Sequence, residues 1–294
     1  MLKRTLFFEN PYHLSVKNHQ LVVNDKKNNK QHIVPSDDIG FVVFDHRELS
    51  YTQAVLQLFS EQNTAVIICN QKHLPVSILQ SIDANYTQGQ NTDYQLQASE
   101  PLKKQLWKQT IKHKIKNQAA MLKKIGKSYE DLLQIAKDVK SGDQTNREGH
   151  AAKIYWSRIF EDFSRQRFGD QPNSMLNYCY TILRTATAKA ITGSGLLPVM
   201  GIKHHNKYNS YRLADDIMEP YRPYADEVVY QTYKKFPDYK DLTTPIKAEL
   251  LKILTVDTDF ELVKRPLSIG LTITSASLVK CYRAEARKIQ YPKF

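Results

Sequence analysis

The segment Leu213–Pro223, LADDIMEPYRP, places Asp215, Asp216 and Glu219 within five residues of an otherwise apolar, helix-prone stretch. Upstream lie Glu148 in NREGHAAKIYW and His204 in GIKHHN. Carboxylates joined by an imidazole suit a hard divalent cation, magnesium or manganese, with several water positions left open. On a chain of net charge +12, that set points to a metal site acting on a phosphodiester backbone. Asp216 and Glu219 stand at i,i+3, one turn apart on one helix face, and Asp215 and Glu219 at i,i+4.

Each of these residues also has a structural reading. Acids gather at helix N-termini, where they favour the dipole, and Arg222 could neutralise Glu219 three residues away. Thr145 to Glu148 matches a capping box. Against that, Glu148 continues the apolar stripe of Ala151, Ala152, Tyr155 and Ile159, a costly place for an unpaired charge. The pair His204-His205, beside Lys203, Lys207 and Arg212, also reads as a set of phosphate contacts. A tetrahedral zinc site lacks a second convergent His or Cys, and a calcium loop pattern is absent. Phosphate-cradling, dinucleotide, nucleophile-elbow and HExxH motifs are missing too.

These side chains need a scaffold, and 294 residues with 41% hydrophobic content allow one large domain or two ordinary ones. TLFFEN, HLSVKNHQLVVND and HIVPSDDIGFVVFDH read as strands, with turns at Lys17-Asn18 and over Asp25–Lys30. A helix is expected in SYTQAVLQLFSEQ, capped by Ser50 and burying Ala54, Val55, Leu58 and Phe59, then a buried strand in TAVIICN. From about Leu79 the pattern is helical. The expectation is an α+β protein with a small β-rich N-terminal domain (1–78), a linker region (79–100) and a larger all-α C-terminal domain (101–294) carrying the metal site. Pro220 should interrupt the helix beside Glu219. Cys69, Cys179 and Cys281 lie far apart in apolar surroundings, as core residues of a reduced protein do. Neither a membrane span nor a signal peptide is expected, which places the chain in the cytoplasm.

From Pro101 to Tyr129 there are nine lysines, one histidine and no acid. Leu102, Leu106, Ile111, Ile115, Ala119 and Leu122 give the segment an apolar helical face. The lysines, Lys114 among them, then cover the wet surface. A solvated helix normally interleaves acids, so Lys103, Lys104, Lys108, Lys112 and Lys116 are expected to hold phosphates. Lys280, Arg283, Arg287 and Lys288 form a second basic face on a late helix, with Arg283 and Arg287 as DNA contacts.

NREGHAAKIYW, LNYCYTILRTATAKAITGSGLLPVMGIKHHN and YRLADDIMEPYRP, in that order, resemble the CRISPR-associated adaptation integrase/endonuclease family, the first-numbered Cas protein. Length and the closing SLVKCYRAEARKIQYP are most like its type II branch. The resemblance implies a dimerising β-rich N-terminal domain and a helical C-terminal domain with the metal site. It implies Glu148, His204 and Glu219 as catalytic metal ligands for Mg²⁺ or Mn²⁺, with Asp216 an additional acid nearby. The doubled histidine leaves His205 as a second candidate if the loop register differs. It further implies a prokaryotic cytoplasmic protein that joins 3′-hydroxyl ends of captured double-stranded DNA to a CRISPR repeat by transesterification. Its partner would be a small ferredoxin-like Cas protein, in a heterohexamer of two integrase dimers and one partner dimer. A standalone metal nuclease on branched or single-stranded DNA and a non-catalytic DNA-binding scaffold are the alternatives.

Overall fold

The structure, a computed structural model, describes residues 3–79, 81, 85–160, 163–166, 169 and 171–294. The chain divides into two compact units, one reaching residue 84 and one from 85 onward. The first holds β1 (Arg4–Phe8), β2 (Tyr12–Lys17), β3 (Gln20–Asp25), β4 (Lys30–Pro35), β5 (Ile39–Phe44), β6 (Ser50–Tyr51), α1 (Gln53–Glu61), β7 (Ala65–Cys69) and β8 (Pro75–Leu79). Its described residues build two four-stranded sheets, ordered β1-β5-β7-β8 and β4-β3-β2-β6.

All six residues of β5 are buried, the continuous apolar pattern of a central parallel strand. The β2–β3 hairpin registers Leu14 on Val23 and Val16 on Leu21. Its turn residues are Asn18 and His19, both at positive φ, one place later than Lys17-Asn18. Helix α1 starts after Thr52; Ser50 instead pairs with His13 as part of β6. Val55, Leu58 and Phe59 pack on Phe8, Leu14, Leu21 and Phe44, while Ala54 stays exposed.

The second unit comprises α2 (Gln88–Gln97), α3 (Glu100–Lys124), α4 (Glu130–Lys137), α5 (Arg147–Ile159), α6 (Asn173–Gly193), α7 (Arg212–Ile217), α8 (Arg222–Lys235), α9 (Thr244–Leu251), β9 (Asp257–Phe260), β10 (Val263–Pro266) and α10 (Leu267–Tyr282). Helix α3 packs against α4, α5, α7 and α8, and α6 against α7, α8, α9 and α10. No described helix is long and apolar enough to cross a membrane. Cys179 and Cys281 are buried, and Cys69 is half-buried.

Four expectations change. The stretch 79–100 is not simply a linker: although residues 80 and 82–84 lie outside the described residues, Gln88–Gln97 forms α2 within the second unit. Its buried side chains are the amides Asn91 and Gln95, which serve backbone groups of a loop and leave no apolar periodicity to read. The lysine-rich α3 is a central helix rather than a solvated one. Leu106, Ile111, Ile115, Ala119 and Leu122 are buried as expected, but so are Trp107, Thr110, Lys114, Asn117 and Gln118.

The helical unit also carries the antiparallel β9–β10 hairpin, whose short, half-polar strands give little pattern. Finally, α10 ends at Tyr282, so Arg283, Arg287 and Lys288 lie beyond it. The Arg283 guanidinium donates to Asn91 Oδ1 at 2.6 and 3.0 Å, which makes it a tie to α2. Arg287 is exposed.

Candidate active site

Glu148 sits in the first turn of α5. Gly142, at φ +67°, turns the chain so that the Asp143 carboxylate accepts from Arg147 N and Glu148 N at 2.9 and 3.0 Å. Asn146 caps Gly149 N at 3.2 Å. With those orphan N–H groups met by Asp143 and Asn146, Glu148 does not reach back as a capping box would, and its carboxylate is free for another partner. That partner is Lys114, whose Nζ donates to Glu148 Oε1 at 2.6 Å.

Glu219 reaches the same ammonium from the other side. Helix α7 ends at Ile217, and Glu219–Tyr221 forms one 3₁₀ turn before α8, the break expected at Pro220. Asn117, one turn along α3 from Lys114, donates to the Pro220 carbonyl at 2.8 Å and pins that turn to α3. Glu219 Oε2 then lies 2.5 Å from Lys114 Nζ, and Oε1 lies 2.9 Å from Arg222 Nη2. Burial works against the Lys114 charge, but Glu219 and Glu148 outweigh it and hold the ammonium above the ordinary lysine pKa. Burial likewise opposes the Glu219 charge, yet Arg222 and Lys114 keep that carboxyl below the usual glutamate range.

His204 is placed by a different device. The Asp216 carboxylate, wholly buried, accepts from Ile202 N and Lys203 N at 2.6 and 2.9 Å and from His204 Nδ1 at 2.5 Å. Gly201 permits this closeness, because a Cβ there would stand 2.7 Å from His204 O and 2.9 Å from Asp216 Oδ2. Gln95 of α2 holds the preceding loop through Leu197 N, Leu197 O and Met200 O. The imidazole meets the edge of Trp107, ring centroids 5.8 Å apart. The hydrogen bond to Asp216 is the main cause raising the His204 pKa, and it leaves Nε2 as the nitrogen free to ligate.

The structure therefore brings Glu148 and Glu219 onto one cation and sets His204 close enough to feel the Glu219 charge. Asp216 acts as the ring's orienter. His205 is exposed. Asp215 turns away to Arg184, at 2.6 and 3.0 Å, and Asn209. Among the described residues, no three His, Cys, Asp or Glu side chains are gathered tightly enough to hold a metal as they stand.

The donor chemistry still fits a hard divalent ion. Two carboxylates already grip a cation, Glu148 Oε1 and the buried Glu219 Oε2 facing it from two sides. Sequence reading missed Lys114, Asp143, Gln95 and Trp107. Only Lys114 left a trace, as a charged residue between Ile111 and Ile115 on the apolar side of α3.

Of the expected DNA contacts, Lys104 and Lys116 are exposed, and Lys103, Lys108 and Lys112 half-buried. Burial, with Lys108 and Lys116 on either side, lowers the Lys112 pKa, the mark of a crowded basic ridge.

A family model described as CRISPR associated protein Cas1 matches residues 6–237. The CRISPR-associated endonuclease Cas1 of Neisseria meningitidis serogroup C (strain 8013) is 34% identical over 256 residues, covering 86% of this chain and 84% of its own. A solved casposase bound to integration product has a TM-score of 0.83 at 20% identity, covering 100% of this chain and 94% of that one. A chain of a Cas6-RT-Cas1–Cas2 complex gives 0.74 at 17% identity, covering 100% of this chain and 36% of that one. Likeness at those identities speaks for the fold. The family match and the Neisseria relative, both spanning most of the sequence, make this chain a member of the Cas1 family.

Proposed function

We propose that this Cas1-family protein is a metal-dependent DNA integrase and endonuclease of CRISPR spacer acquisition. The observation that carries the reading is the convergence of Glu148 and Glu219 on one cation, 2.6 and 2.5 Å away. Glu148, Glu219 and His204 Nε2 are the residues that would hold Mg²⁺ or Mn²⁺. When bound, such an ion activates a hydroxyl nucleophile and stabilises charge at the phosphorus and leaving oxygen.

The protein's own residues do the rest. Asp216 fixes the imidazole, and Asn117 and Gln95 hold the two chain segments that bear Glu219 and His204. Lys103, Lys104, Lys108, Lys112 and Lys116 of α3, with Arg287, hold phosphates without reading bases. In the reaction the 3′-oxygen of a captured duplex forms a bond to a repeat phosphorus. The bond from that phosphorus to the 3′-oxygen of the repeat strand breaks; the attacking hydroxyl's proton passes to solvent, and the leaving 3′-oxygen takes up one from solvent. One phosphodiester replaces another, so no nucleotide triphosphate is consumed; with water as nucleophile the same site nicks DNA.

The partners we assign are double-stranded DNA, a second copy of the chain and a small ferredoxin-like Cas protein, in a heterohexamer of two dimers and one partner dimer. The reading places it in the prokaryotic cytoplasm. A solved chain of the same fold belongs to a Cas6-RT-Cas1–Cas2 complex, which supports a Cas partner. For the dimer, support comes from the β7–β8 pair, which leaves Val76 61% and Ile68 39% exposed.

The test is incubation with Mn²⁺ or Mg²⁺, a short 3′-ended duplex and a supercoiled repeat plasmid, with and without the partner. Covalent joining that disappears in Glu148→Gln is expected. Cleavage without joining would leave a nuclease, and DNA binding without either would leave a scaffold.

A further inference from the structure

Lys114 is 7% exposed at the middle of α3, where burying a charge is costly unless it is paired. Its pairing is complete and local: Glu148 and Glu219 supply two negative charges, and Lys114 and Arg222 supply two positive ones. The cluster is neutral as it stands. The space between the two carboxylates holds one cation, and Lys114 Nζ is in it.

A divalent ion entering between Glu148 and Glu219 would meet that ammonium across the same oxygens. It would also leave the cluster with a net charge of +2. Both problems vanish if the ammonium leaves the carboxylates and an anion arrives. Glu219 is 4% exposed at its side chain and Glu148 27%, so the cluster opens to solvent on the Glu148 side. A DNA phosphate approaching there supplies the anion.

Resting on the reading of Glu148 and Glu219 as metal ligands, we infer that Lys114 is a built-in counter-ion. It fills the metal seat in the ion-free protein and is displaced when the ion binds, then pairs with a phosphate of the DNA. Ion and DNA binding are thereby coupled through one side chain: each strengthens the other, and by linkage to the same degree. The device keeps the ion from loading tightly before the substrate is present.

The test measures Mn²⁺ binding through the paramagnetic resonance signal of the free ion, with no turnover required. Lys114→Met keeps the length of the side chain and removes its charge. It should bind Mn²⁺ at least about tenfold more tightly than the wild type in the absence of DNA. A 3′-ended duplex should tighten Mn²⁺ binding by about tenfold or more in the wild type and by much less in the variant. Equal or weaker Mn²⁺ binding by Lys114→Met overturns the inference, as does a DNA effect of the same size in both proteins.

Glu148→Gln, made in both backgrounds, separates this inference from the metal reading beneath it. Loss of Mn²⁺ affinity in both places the ion at the carboxylates, so a failure of the Lys114 comparison then counts against the counter-ion alone. Indifference of Mn²⁺ binding to Glu148→Gln removes the metal reading and the counter-ion with it. Should Lys114→Met fail to fold by circular dichroism, Lys114→Gln keeps an N–H donor for the carboxylates without a charge. The same outcomes then apply to it.

Discussion

Glu219 and Asp226 lie seven residues apart around the start of α8, 3% and 1% exposed, and the protein treats their charges in opposite ways. Around Glu219 the partners are cations, Lys114 and Arg222, and the carboxyl stays ionised despite its burial. Around Asp226 they are hydroxyls: Tyr180 donates to Oδ1 at 2.5 Å and Tyr155 to Oδ2 at 2.9 Å. Burial outweighs those two bonds and pushes the Asp226 carboxyl up to about 6. Arg222 touches both neighbourhoods, with one nitrogen on Glu219 and its guanidinium 4.8 Å over the Tyr180 ring. A buried carboxylate is thus no sign of chemistry by itself. What distinguishes the two is whether the partner is a cation, whose place another cation could take, or a hydroxyl of the core.

Substitutions on the two sides should separate accordingly. The largest effect is expected from Glu148→Gln, with DNA joining reduced by more than about a hundredfold while circular dichroism and DNA affinity are retained. Activity left intact would move Glu148 and Glu219 into the same structural class as Asp226.

Asp216→Asn should cost about 10- to 100-fold in joining, because the imidazole loses its orienter. It should also lower the His204 pKa, read from the ring-proton titration by NMR, since the Asp216 bond is the leading cause of its rise. The sign follows from linkage. A raised histidine pKa gives stability that is full below the unfolded value, about 6.5, and lost as pH climbs through the folded value. The stability gap between wild type and Asp216→Asn should therefore narrow at alkaline pH by the share due to the His204 charge, leaving the share due to the bonds from Ile202 N and Lys203 N.

Replacing Lys104, Lys108 and Lys116 with glutamine should weaken DNA binding. The slope of log affinity against log salt should become shallower by about 0.9 for each phosphate no longer neutralised. An unchanged slope would exclude α3 as the DNA track.

Asp226→Asn should have the smallest effect on joining, within about threefold of wild type at neutral pH. Its signature is in stability. Between pH 4 and 6 the unfolded chain has ionised Asp226 while the folded chain still holds its proton, so the native state is penalised as pH rises. The gap from 3.8 to about 6 corresponds to about 3 kcal/mol that wild type should lose across that window relative to Asp226→Asn. Parallel stability profiles would contradict the assignment.

Much of the site can be read before any fold is known. The break at Pro220, the apolar face of α3 and the i,i+3 pairing of Arg222 with Glu219 all follow from local geometry. Helix α7 ends at Ile217, however, so Asp216 and Glu219 do not share one helix face as their spacing suggested. The β-rich first unit and the helical second one follow from the periods of their apolar residues, because side-chain direction along a strand or helix is set by its own backbone.

Partners distant in the chain could not be read that way. Lys114 meets Glu148 and Glu219 from 34 and 105 residues away, and a sequence pattern shows it only as a lysine between Ile111 and Ile115, without its partners. Asp216 looks like a ligand until the backbone of Ile202 and Lys203 closes on it, and α2 looks like a linker until Gln95 reaches Leu197 and Met200. Residue type and spacing determined which groups were available for chemistry. Tertiary packing alone decided which charge each would face, because electrostatic partners are chosen by distance in space and by how far water is excluded between them.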